Sequence, residues 1–448
     1  MKKFFLTNTL TGKKEEFAPE KNDISLYACG ITPYDFSHIG HGRSYVFVDV
    51  LVRFLRFCGY NVKYVRNITD IDDKLLKKAE LSGDIMSYLE LSEKFTEQYQ
   101  EEMRALNNLD PNIEPKVTEN IDKIIDFIKK LIEKKKAYVI DGDVYFDVTS
   151  YEKYGELSGK KLEDLLAGAR VKVDERKRNP ADFALWKGND KKLFWESPWG
   201  YGRPGWHIEC SALVKDCLDE TIDIHCGGMD LVFPHHENER AQSESLHGNT
   251  FVRFWVHNAL LNIDKEKMSK SLGNILSLHE IFEKYDPMIL RYYFLQHHYR
   301  TPIDFGFDRL EAAKVAYKKL VAVFEDVPRY AQASLKLRRA TRDERCQAKM
   351  IDALSDDLNT PRVLGVVFEN LPQIREDKNL SRCVKSFLQE VLGLTFAPIK
   401  EEKIEITPEI EKLIKDREYA RKEKNWVLAD SIRDRLRELG YEVQDRKS

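Results

Sequence analysis

The hydrophobic pattern of the N-terminal part predicts a strand, a helix and a second strand. Residues 24–29 (Ile-Ser-Leu-Tyr-Ala-Cys) form a short apolar run typical of a buried strand, and residues 61–68 (Asn-Val-Lys-Tyr-Val-Arg-Asn-Ile) predict another. Between them, Ser44–Phe57 has the dense apolar spacing of a helix. A strand–helix–strand unit builds a parallel sheet, and ligands bind such sheets beyond the carboxyl ends of the strands.

A polar stretch interrupts this pattern before it resumes. We predict a helix over residues 117–137, a hairpin over Tyr138–Val148 and a polar insertion up to about Lys192. The pattern then returns as a helix, a strand, a helix and a strand: Trp206–Lys215, Thr221–His225, His235–His247 and Phe251–Leu261. The insertion therefore interrupts one sheet domain.

The C-terminal part is helical almost throughout. Four segments have periods suited to a helix bundle: Leu310–Phe324, Glu344–Ala353, Thr360–Asn370 and Leu380–Val391. Ala397–Glu405 predicts a linker, and Pro408–Leu439 predicts a pair of short charged helices.

Composition narrows the class of protein. A chain of 448 residues is too long for one ordinary core, so several domains are expected. The net charge of −3 gives no global basic signal, so any contact with nucleic acid must depend on local patches. Seven widely spread cysteines favour a reducing compartment, and no apolar run approaches membrane-spanning length. We expect a cytoplasmic monomer without membrane contact.

Four side chains suggest a metal site: Cys29, Cys210, His235 and Glu239. Two thiolates, an imidazole and a carboxylate make a four-ligand zinc site, and His235 and Glu239 project from one face of a predicted helix. Because no Cys-x-x-Cys pair anchors the site, the alternative is that both cysteines are small buried apolar residues. His236 is a competing ligand, but His235 has the better register with Glu239.

Two short motifs indicate nucleotide activation. In His38-Ile39-Gly40-His41, the imidazoles of His38 and His41 can donate to phosphate oxygens at a helix start, and Gly40 admits the nucleotide. In Lys267-Met268-Ser269-Lys270-Ser271, the ammonium groups of Lys267 and Lys270 can stabilise departing pyrophosphate. Solvated loops are the alternative for each motif alone. Their occurrence together in this order favours an ATP site.

Three weaker signals complete the candidate site. In Gly227-Gly228-Met229-Asp230, Gly228 would let adenosine approach the backbone and Asp230 could accept hydrogen bonds from ribose hydroxyls. Trp206 is a candidate wall of an amino-acid pocket, with core packing as the alternative. Thr69 is a candidate partner for the substrate amine or carboxylate.

Several longer runs carry a resemblance to a known family. They are Tyr27–Thr32, Arg66–Lys74, Arg178–Lys187, Gly205–Ala212 and Asp356–Pro361. With the motifs above, they make the chain resemble the class I aminoacyl-tRNA synthetases, and specifically the cysteinyl-tRNA synthetases, over essentially its whole length.

The resemblance implies a reaction and its cofactors. L-Cysteine would attack the α-phosphate of ATP, with Mg²⁺ on the phosphates, and the cysteinyl group would then move to the 3′-terminal adenosine of tRNA(Cys). One Zn²⁺ would be held by Cys29, Cys210, His235 and Glu239, and Lys270 would contact ATP. The zinc would select the substrate thiol.

Pattern and resemblance together predict an α/β fold with a Rossmann-like parallel-sheet catalytic domain, an inserted connective domain, an α-helical bundle and a small C-terminal helical domain. The expected boundaries are 1–115 and 200–262 for the two catalytic halves, 116–199 for the insertion, 263–309 for the Lys-Met-Ser-Lys-Ser loop and stem-contact region, 310–396 for the bundle and 397–448 for the anticodon-binding region.

Two departures from the family pattern stand out. Cys226 replaces a glycine that relatives usually have before Gly227, and the chain ends at Ser448 where many relatives continue into a short strand. A reduced anticodon-reading surface is therefore expected. A basic helix with one aromatic remains suitable for phosphate contact and base stacking: Arg417, Arg421, Lys422, Lys424 and Trp426.

Two other functions compete with this interpretation. A cysteine ligase of thiol biosynthesis shares the zinc and ATP sites, but as a family it lacks the full C-terminal portion, so Arg417–Leu439 argues against it. A zinc-stabilised, non-catalytic RNA-binding protein would not need His38, His41, Lys267 and Lys270.

Overall fold

The computed structural model describes residues 3–81, 88–161, 175–189, 194–263, 266–267, 276–328, 342–399 and 408–438. The chain divides into two compact units, Met1–Ala397 and Pro398–Ser448. Among the helices described, none is both long and apolar enough to cross a membrane.

The elements of the described residues are numbered in chain order. The strands are β1 (Phe5–Asn8), β2 (Lys13–Glu16), β3 (Asp23–Ile31), β4 (Asn61–Ile68), β5 (Ala137–Ile140), β6 (Asp143–Phe146), β7 (Phe183–Gly188), β8 (Trp195–Ser197), β9 (Gly200–Pro204), β10 (Ile222–Gly228), β11 (Val252–Asn258), β12 (Leu261–Ile263), β13 (Glu266–Lys267) and β14 (Ile303–Phe305). The helices are α1 (Ile39–Phe57), α2 (Asp73–Leu81), α3 (Tyr88–Ala105), α4 (Ile121–Glu133), α5 (Trp206–Cys217), α6 (Glu237–His247), α7 (Leu278–Phe282), α8 (Pro287–Leu295), α9 (Phe307–Phe324), α10 (Arg342–Ser355), α11 (Thr360–Glu369), α12 (Leu371–Glu376), α13 (Lys378–Val391), α14 (Pro408–Lys422) and α15 (Trp426–Glu438).

The central sheet is parallel and positions the site. Its strand order is β11-β10-β3-β4, so the first and second halves of the sheet domain meet where β3 pairs with β10. Leu26, Tyr27 and Ala28 of β3 are buried, as a strand covered on both faces requires. The predicted parallel α/β fold is confirmed.

Several predicted boundaries were wrong near the site. The start of helix α1 is not among them: it begins at Ile39, where the His38–His41 run was predicted to open a helix, and His38 caps it through a hydrogen bond from the His41 backbone N–H. Strand β10 runs to Gly228, so Gly227 and Gly228 lie in the strand and not in a turn after it. His235 and His236 lie in a π-helical turn before α6 rather than in the helix itself.

The insertion contains more order than its polar pattern suggested. Strands β5 and β6 form the predicted hairpin, but β7, β8 and β9 extend it to a five-stranded antiparallel sheet of order β5-β6-β7-β9-β8. Trp186 of β7 is fully buried in the core between this sheet and α4, which explains why a largely polar segment adopts a sheet. Helices α2 and α3 were also not predicted, whereas α7, α8 and α12 lie in the part that was predicted to be helical almost throughout, without bounds of their own.

The remaining helices agree better with the sequence pattern. The four predicted bundle segments correspond to α9, α10, α11 and α13. In the C-terminal unit, α14 and α15 pack through a small core of Ile410, Ile432 and Leu436.

Candidate active site

The candidate site is a cleft of about 360 Å³ at the carboxyl ends of the central strands. Ten predicted site residues line it: Cys29, His38, Gly40, His41, Thr69, Trp206, Cys210, Gly228, Asp230 and His235. Glu239 lies in contact with this set. Lys270 and the side chain of Lys267 fall outside the described residues.

The four predicted metal ligands converge in one buried cluster. The ligand atoms of Cys29, Cys210, His235 and Glu239 all lie within 4.8 Å of one another. The two sulfurs are 4.0 Å apart, Cys29 Sγ is 3.6 Å from Glu239 Oε1, and His235 Nε2 is 3.0 Å from the same oxygen. Tetrahedral zinc with bonds of about 2.0–2.3 Å needs ligand atoms about 3.3–3.8 Å apart. The cluster therefore has dimensions that fit one metal ion.

A second set of ligands overlaps the first. Cys29, His225, His236 and Glu239 also bring their ligand atoms within 4.8 Å of one another. His236 Nε2 lies 3.2 Å from Cys29 Sγ, and His225 Nε2 lies 2.9 Å from Glu239 Oε2. The two sets share Cys29 and Glu239, so one thiolate and one carboxylate would serve either position. The sequence argument considered His236 but missed His225.

Hydrogen bonds to other histidines orient both imidazoles. His235 turns Nδ1 to His207 Nδ1 at 3.0 Å, which leaves Nε2 facing Glu239. His236 Nδ1 is 2.7 Å from His257 Nε2. Fixing one ring nitrogen in this way sets the orientation of the other, as is usual for metal-binding histidines.

The buried ionisable groups of the cluster shift one another's pKa values. Burial opposes the charged form of Glu239, but His225 and His235 outweigh that effect and hold its pKa at about 2. A hydrogen bond with Cys29 lowers the pKa of Cys210 to about 6, against the opposing effect of burial. Burial disfavours protonated His235, yet Glu239 and Cys210 raise its pKa to about 10. Burial, together with Cys210 and Glu239, raises the pKa of Cys29 well above its usual value. The Cys29 thiol and the His235 imidazole therefore hold protons that metal binding would release.

Asn67 links the strand ends beneath the cluster, and the sequence argument gave it no role. Its Oδ1 accepts from the Gly30 backbone N–H at 2.9 Å and from the Tyr27 hydroxyl at 3.0 Å. A Cβ on Gly30 would overlap the Asn67 backbone carbonyl, so only glycine fits there. Asn67 Nδ2 donates to Thr69 Oγ1 at 3.1 Å, and Thr69 donates to buried Glu209 at 3.2 Å. Thr69 is therefore held by the protein's own network.

The two histidines at the start of α1 are stacked, with ring centroids 3.6 Å apart. His38 Nδ1 accepts from the His41 backbone N–H, and His41 Nδ1 accepts from the His38 backbone N–H, each at 3.3 Å. A neutral imidazole that accepts at Nδ1 carries its proton at Nε2. Both rings are thus set to donate from Nε2 to an anion in the cleft.

Trp206 and Cys226 form contrasting walls of the cleft. Trp206 is 40% exposed and stacks on His235 at 4.3 Å between centroids, so it is not a core residue. Cys226 is fully buried in β10, and burial raises the pKa of its thiol, which keeps it neutral. It belongs to neither ligand set found in the described part of the chain.

The C-terminal unit differs from the predicted basic helix. The predicted pair of helices is present, but Lys424 lies in the turn between α14 and α15 with a positive φ of 55°, so the five residues do not share one basic helix. Arg417 is buried and unavailable to a phosphate, whereas Trp426 is exposed.

Comparison with known proteins defines the class of the molecule. Residues 16–315 match the family model of the class I tRNA synthetase (C) catalytic domain, residues 349–397 match the DALR domain, and residues 404–448 match the cysteinyl-tRNA ligase anticodon binding domain. The fold is similar to that of Mycobacterium tuberculosis methionyl-tRNA synthetase in complex with methionyl-adenylate, at a TM-score of 0.56 and 13% identity over 82% of this chain and 88% of that one. The Agrobacterium radiobacter K84 agnB2 LeuRS in its ternary complex gives a TM-score of 0.59 at 11% identity, over 84% of each chain.

Sequence relatives are more specific. The cysteine–tRNA ligase of Caldicellulosiruptor saccharolyticus is 45% identical over 98% of this chain and 97% of the relative. That of Sulfurihydrogenibium sp. (strain YO3AOP1) is 42% identical over 98% of this chain and 97% of the relative. The chain belongs to the cysteine–tRNA ligase family of class I aminoacyl-tRNA synthetases.

Proposed function

We propose that this protein activates L-cysteine with ATP to give cysteinyl-adenylate and transfers the cysteinyl group to the 3′-terminal adenosine of tRNA(Cys). One observation carries the proposal: two thiols, an imidazole and a carboxylate converge in the cleft that His38 and His41 also line. A sulfur-binding cluster beside an anion-binding helix start fits an enzyme that selects a thiol amino acid and adenylates it.

We propose zinc as the ion of the Cys29–Cys210–His235–Glu239 cluster. Two sulfurs, a nitrogen and an oxygen suit zinc, whereas magnesium and calcium take oxygen ligands. When bound, zinc supplies a Lewis acid that favours the thiolate of the substrate. A plain apolar pocket would separate cysteine from serine by only about a hundredfold.

ATP is proposed to lie along the start of α1, with Mg²⁺ on its phosphates. His38 and His41 would donate from Nε2 to phosphate oxygens as the substrate carboxylate attacks the α-phosphate. Gly40 and Gly228 line the cleft and would allow the nucleotide close to the backbone, where Asp230 could accept hydrogen bonds from the ribose.

The remaining site residues complete the proposal. Lys267 and Lys270 would stabilise the departing pyrophosphate. Thr69 lines the same cleft as Cys29 and would present its oxygen to the substrate amine, while Trp206 would wall the amino-acid pocket. Catalysis then comes from orientation and charge stabilisation, without a covalent nucleophile.

The proposal predicts cysteine-dependent ATP–pyrophosphate exchange and charging of tRNA(Cys). Cys210→Ala should lower kcat/KM for cysteine exchange at least about a hundredfold, because loss of a zinc ligand weakens the metal site. Cys217→Ala is the matched control on the same helix, and it should retain activity since Cys217 does not line the cleft. Equal losses in both variants, or exchange with serine as fast as with cysteine, would contradict the zinc role.

Charging separates the remaining candidate functions. Exchange without tRNA charging would favour the cysteine ligase of thiol biosynthesis, and no exchange at all would favour a binding protein. The matched anticodon binding domain at residues 404–448 supports tRNA as the acceptor. We also propose a cytoplasmic monomer, which light scattering and cell fractionation would test.

A further inference from the structure

Selection of a thiol by the metal does not explain how the enzyme would reject a longer thiol amino acid. An amino acid with one more methylene before its sulfur offers the metal the same ligand, so the ion cannot exclude it. Exclusion must come from the shape of the protein around the side chain. This inference rests on the proposed function of the site.

A second cavity of about 230 Å³ adjoins the amino-acid cleft. Six of the residues that line it are Asp72, Phe183, Ala184, Lys187, Arg203 and Glu209. Its two basic side chains are already paired with Asp73, Lys187 at 2.7 Å and Arg203 in direct contact. Both basic side chains of this polar cavity are therefore engaged by Asp73, and the carboxyl groups of Asp72 and Glu209 also line it.

Trp206 separates the two spaces. Among the described residues it is the only one that lines both the cleft and the second cavity. Its indole stacks on His235 of the cleft at 4.3 Å and lies 5.0 Å from the ring of His207, which lines the second cavity. The indole of Trp206 therefore lies between the predicted metal ligand His235 and the second cavity.

We propose that Trp206 sets the length of the amino acid that the enzyme activates. With the sulfur held at the cluster and the carboxylate held for attack, an added methylene must bulge sideways. In the native protein the indole that stacks on His235 would occupy that side. Truncating Trp206 would join the cleft to the second cavity and admit a thiol amino acid one methylene longer, for which L-homocysteine is the probe.

The experiment compares kcat/KM for cysteine and L-homocysteine in ATP–pyrophosphate exchange. One methylene in a pocket is worth about 10–200-fold in discrimination, so Trp206→Ala should raise the homocysteine-to-cysteine ratio by at least about tenfold. Trp206→Phe keeps a ring and should raise the ratio less. Zinc content, measured by atomic absorption, should stay at the wild-type level.

A cavity-filling variant tests the mechanism. Ala184→Leu occupies the second cavity and, since Ala184 does not line the cleft, should leave cysteine exchange unchanged. Combined with Trp206→Ala it should lower the ratio again. An unchanged homocysteine-to-cysteine ratio in Trp206→Ala with zinc retained would overturn the inference. If Trp206→Ala loses zinc, Trp206→Leu replaces it, and an unchanged ratio in that variant would overturn the inference. Failure of the wild type to exchange with cysteine would instead overturn the proposed function.

Discussion

Single side chains decide which of two overlapping ligand sets holds the metal. Cys29 and Glu239 belong to both sets, so removing either cannot tell them apart. His235 and His236 are adjacent in sequence but belong to different ligand sets. Their ring contacts differ as well, because His235 turns to His207 and His236 turns to His257.

We predict that His235→Ala lowers the affinity of the protein for zinc at least about tenfold, because one ligand is lost. His236→Ala should retain stoichiometric zinc, since it leaves the predicted ligands in place. Zinc is measured by atomic absorption after dialysis against a competing chelator. The reverse pattern would assign the ion to the set that contains His225 and His236.

Backbone crowding at Gly30 gives a second prediction at this scale. Gly30→Ala should destabilise the protein by at least about 2 kcal/mol, because the added Cβ meets the Asn67 carbonyl and must displace β3 from β4. Gly365→Ala is the matched control, since its Cβ would come no closer than 3.8 Å to Arg362. In helix α11 that change should stabilise by up to about 1 kcal/mol. Urea denaturation measures both; equal effects would contradict the crowding argument.

At the scale of elements, buried charge ties helices of the first unit together. Arg291 of α8 is fully buried and contacts Asp49 of α1. It also donates to the backbone carbonyls of Leu106 and Leu392, each at 2.7 Å. One side chain thus joins α8 to α1, to the end of α3 and to the end of α13.

Loss of the contact between Arg291 and Asp49 should destabilise the protein. Arg291→Ala should lower the free energy of unfolding by about 3–5 kcal/mol, because Asp49 is left as a buried charge with fewer partners. The exposed pair of Arg362 and Glu369, at 2.7 Å, provides the comparison. Arg362→Ala should cost at most about 1 kcal/mol, because water replaces the lost contact. Urea denaturation measures the free energy of unfolding of both variants. Similar losses in the two variants would contradict the proposed difference between the buried and the exposed ion pair.

Element prediction succeeded where burial imposes a simple period. The strand at residues 61–68 and the four bundle helices have apolar positions that follow one periodicity, and the structure has them. Strands β7–β9 were missed because their pairing within the insertion, with Trp186 as an anchor, stabilises a polar segment. The start of α1 was predicted from the His38–His41 motif rather than from an apolar stripe, and a histidine cap defines it.

At the scale of the whole molecule, the metal ligands come from separate parts of the sheet domain. Cys29 lies near the carboxyl end of β3, Cys210 lies on α5, and His235 and Glu239 flank the start of α6. An ion held by all of them would crosslink both halves of the sheet, so metal binding should couple to folding.

Removal of the metal should therefore lower both activity and stability. After treatment with a chelator, cysteine-dependent exchange should be lost and Tm should fall by several degrees, and both should return on addition of zinc. The Cys210→Ala variant is the control, because its Tm should respond less to the chelator. Activity and Tm unaffected by metal removal would exclude the proposed crosslink.

The sequence by itself determined the family and the parallel sheet, and it indicated which residues could bind zinc and phosphate. Motifs and periodicity are local in the chain, so they can be recognised without the fold. The prediction of a cysteine–tRNA ligase is confirmed by relatives at 45% and 42% identity. Only the tertiary structure decided that a second ligand set shares Cys29 and Glu239, that Asn67 binds the strand ends, and that Trp206 lines two cavities. These depend on distances between residues far apart in the chain, which packing sets and sequence spacing does not.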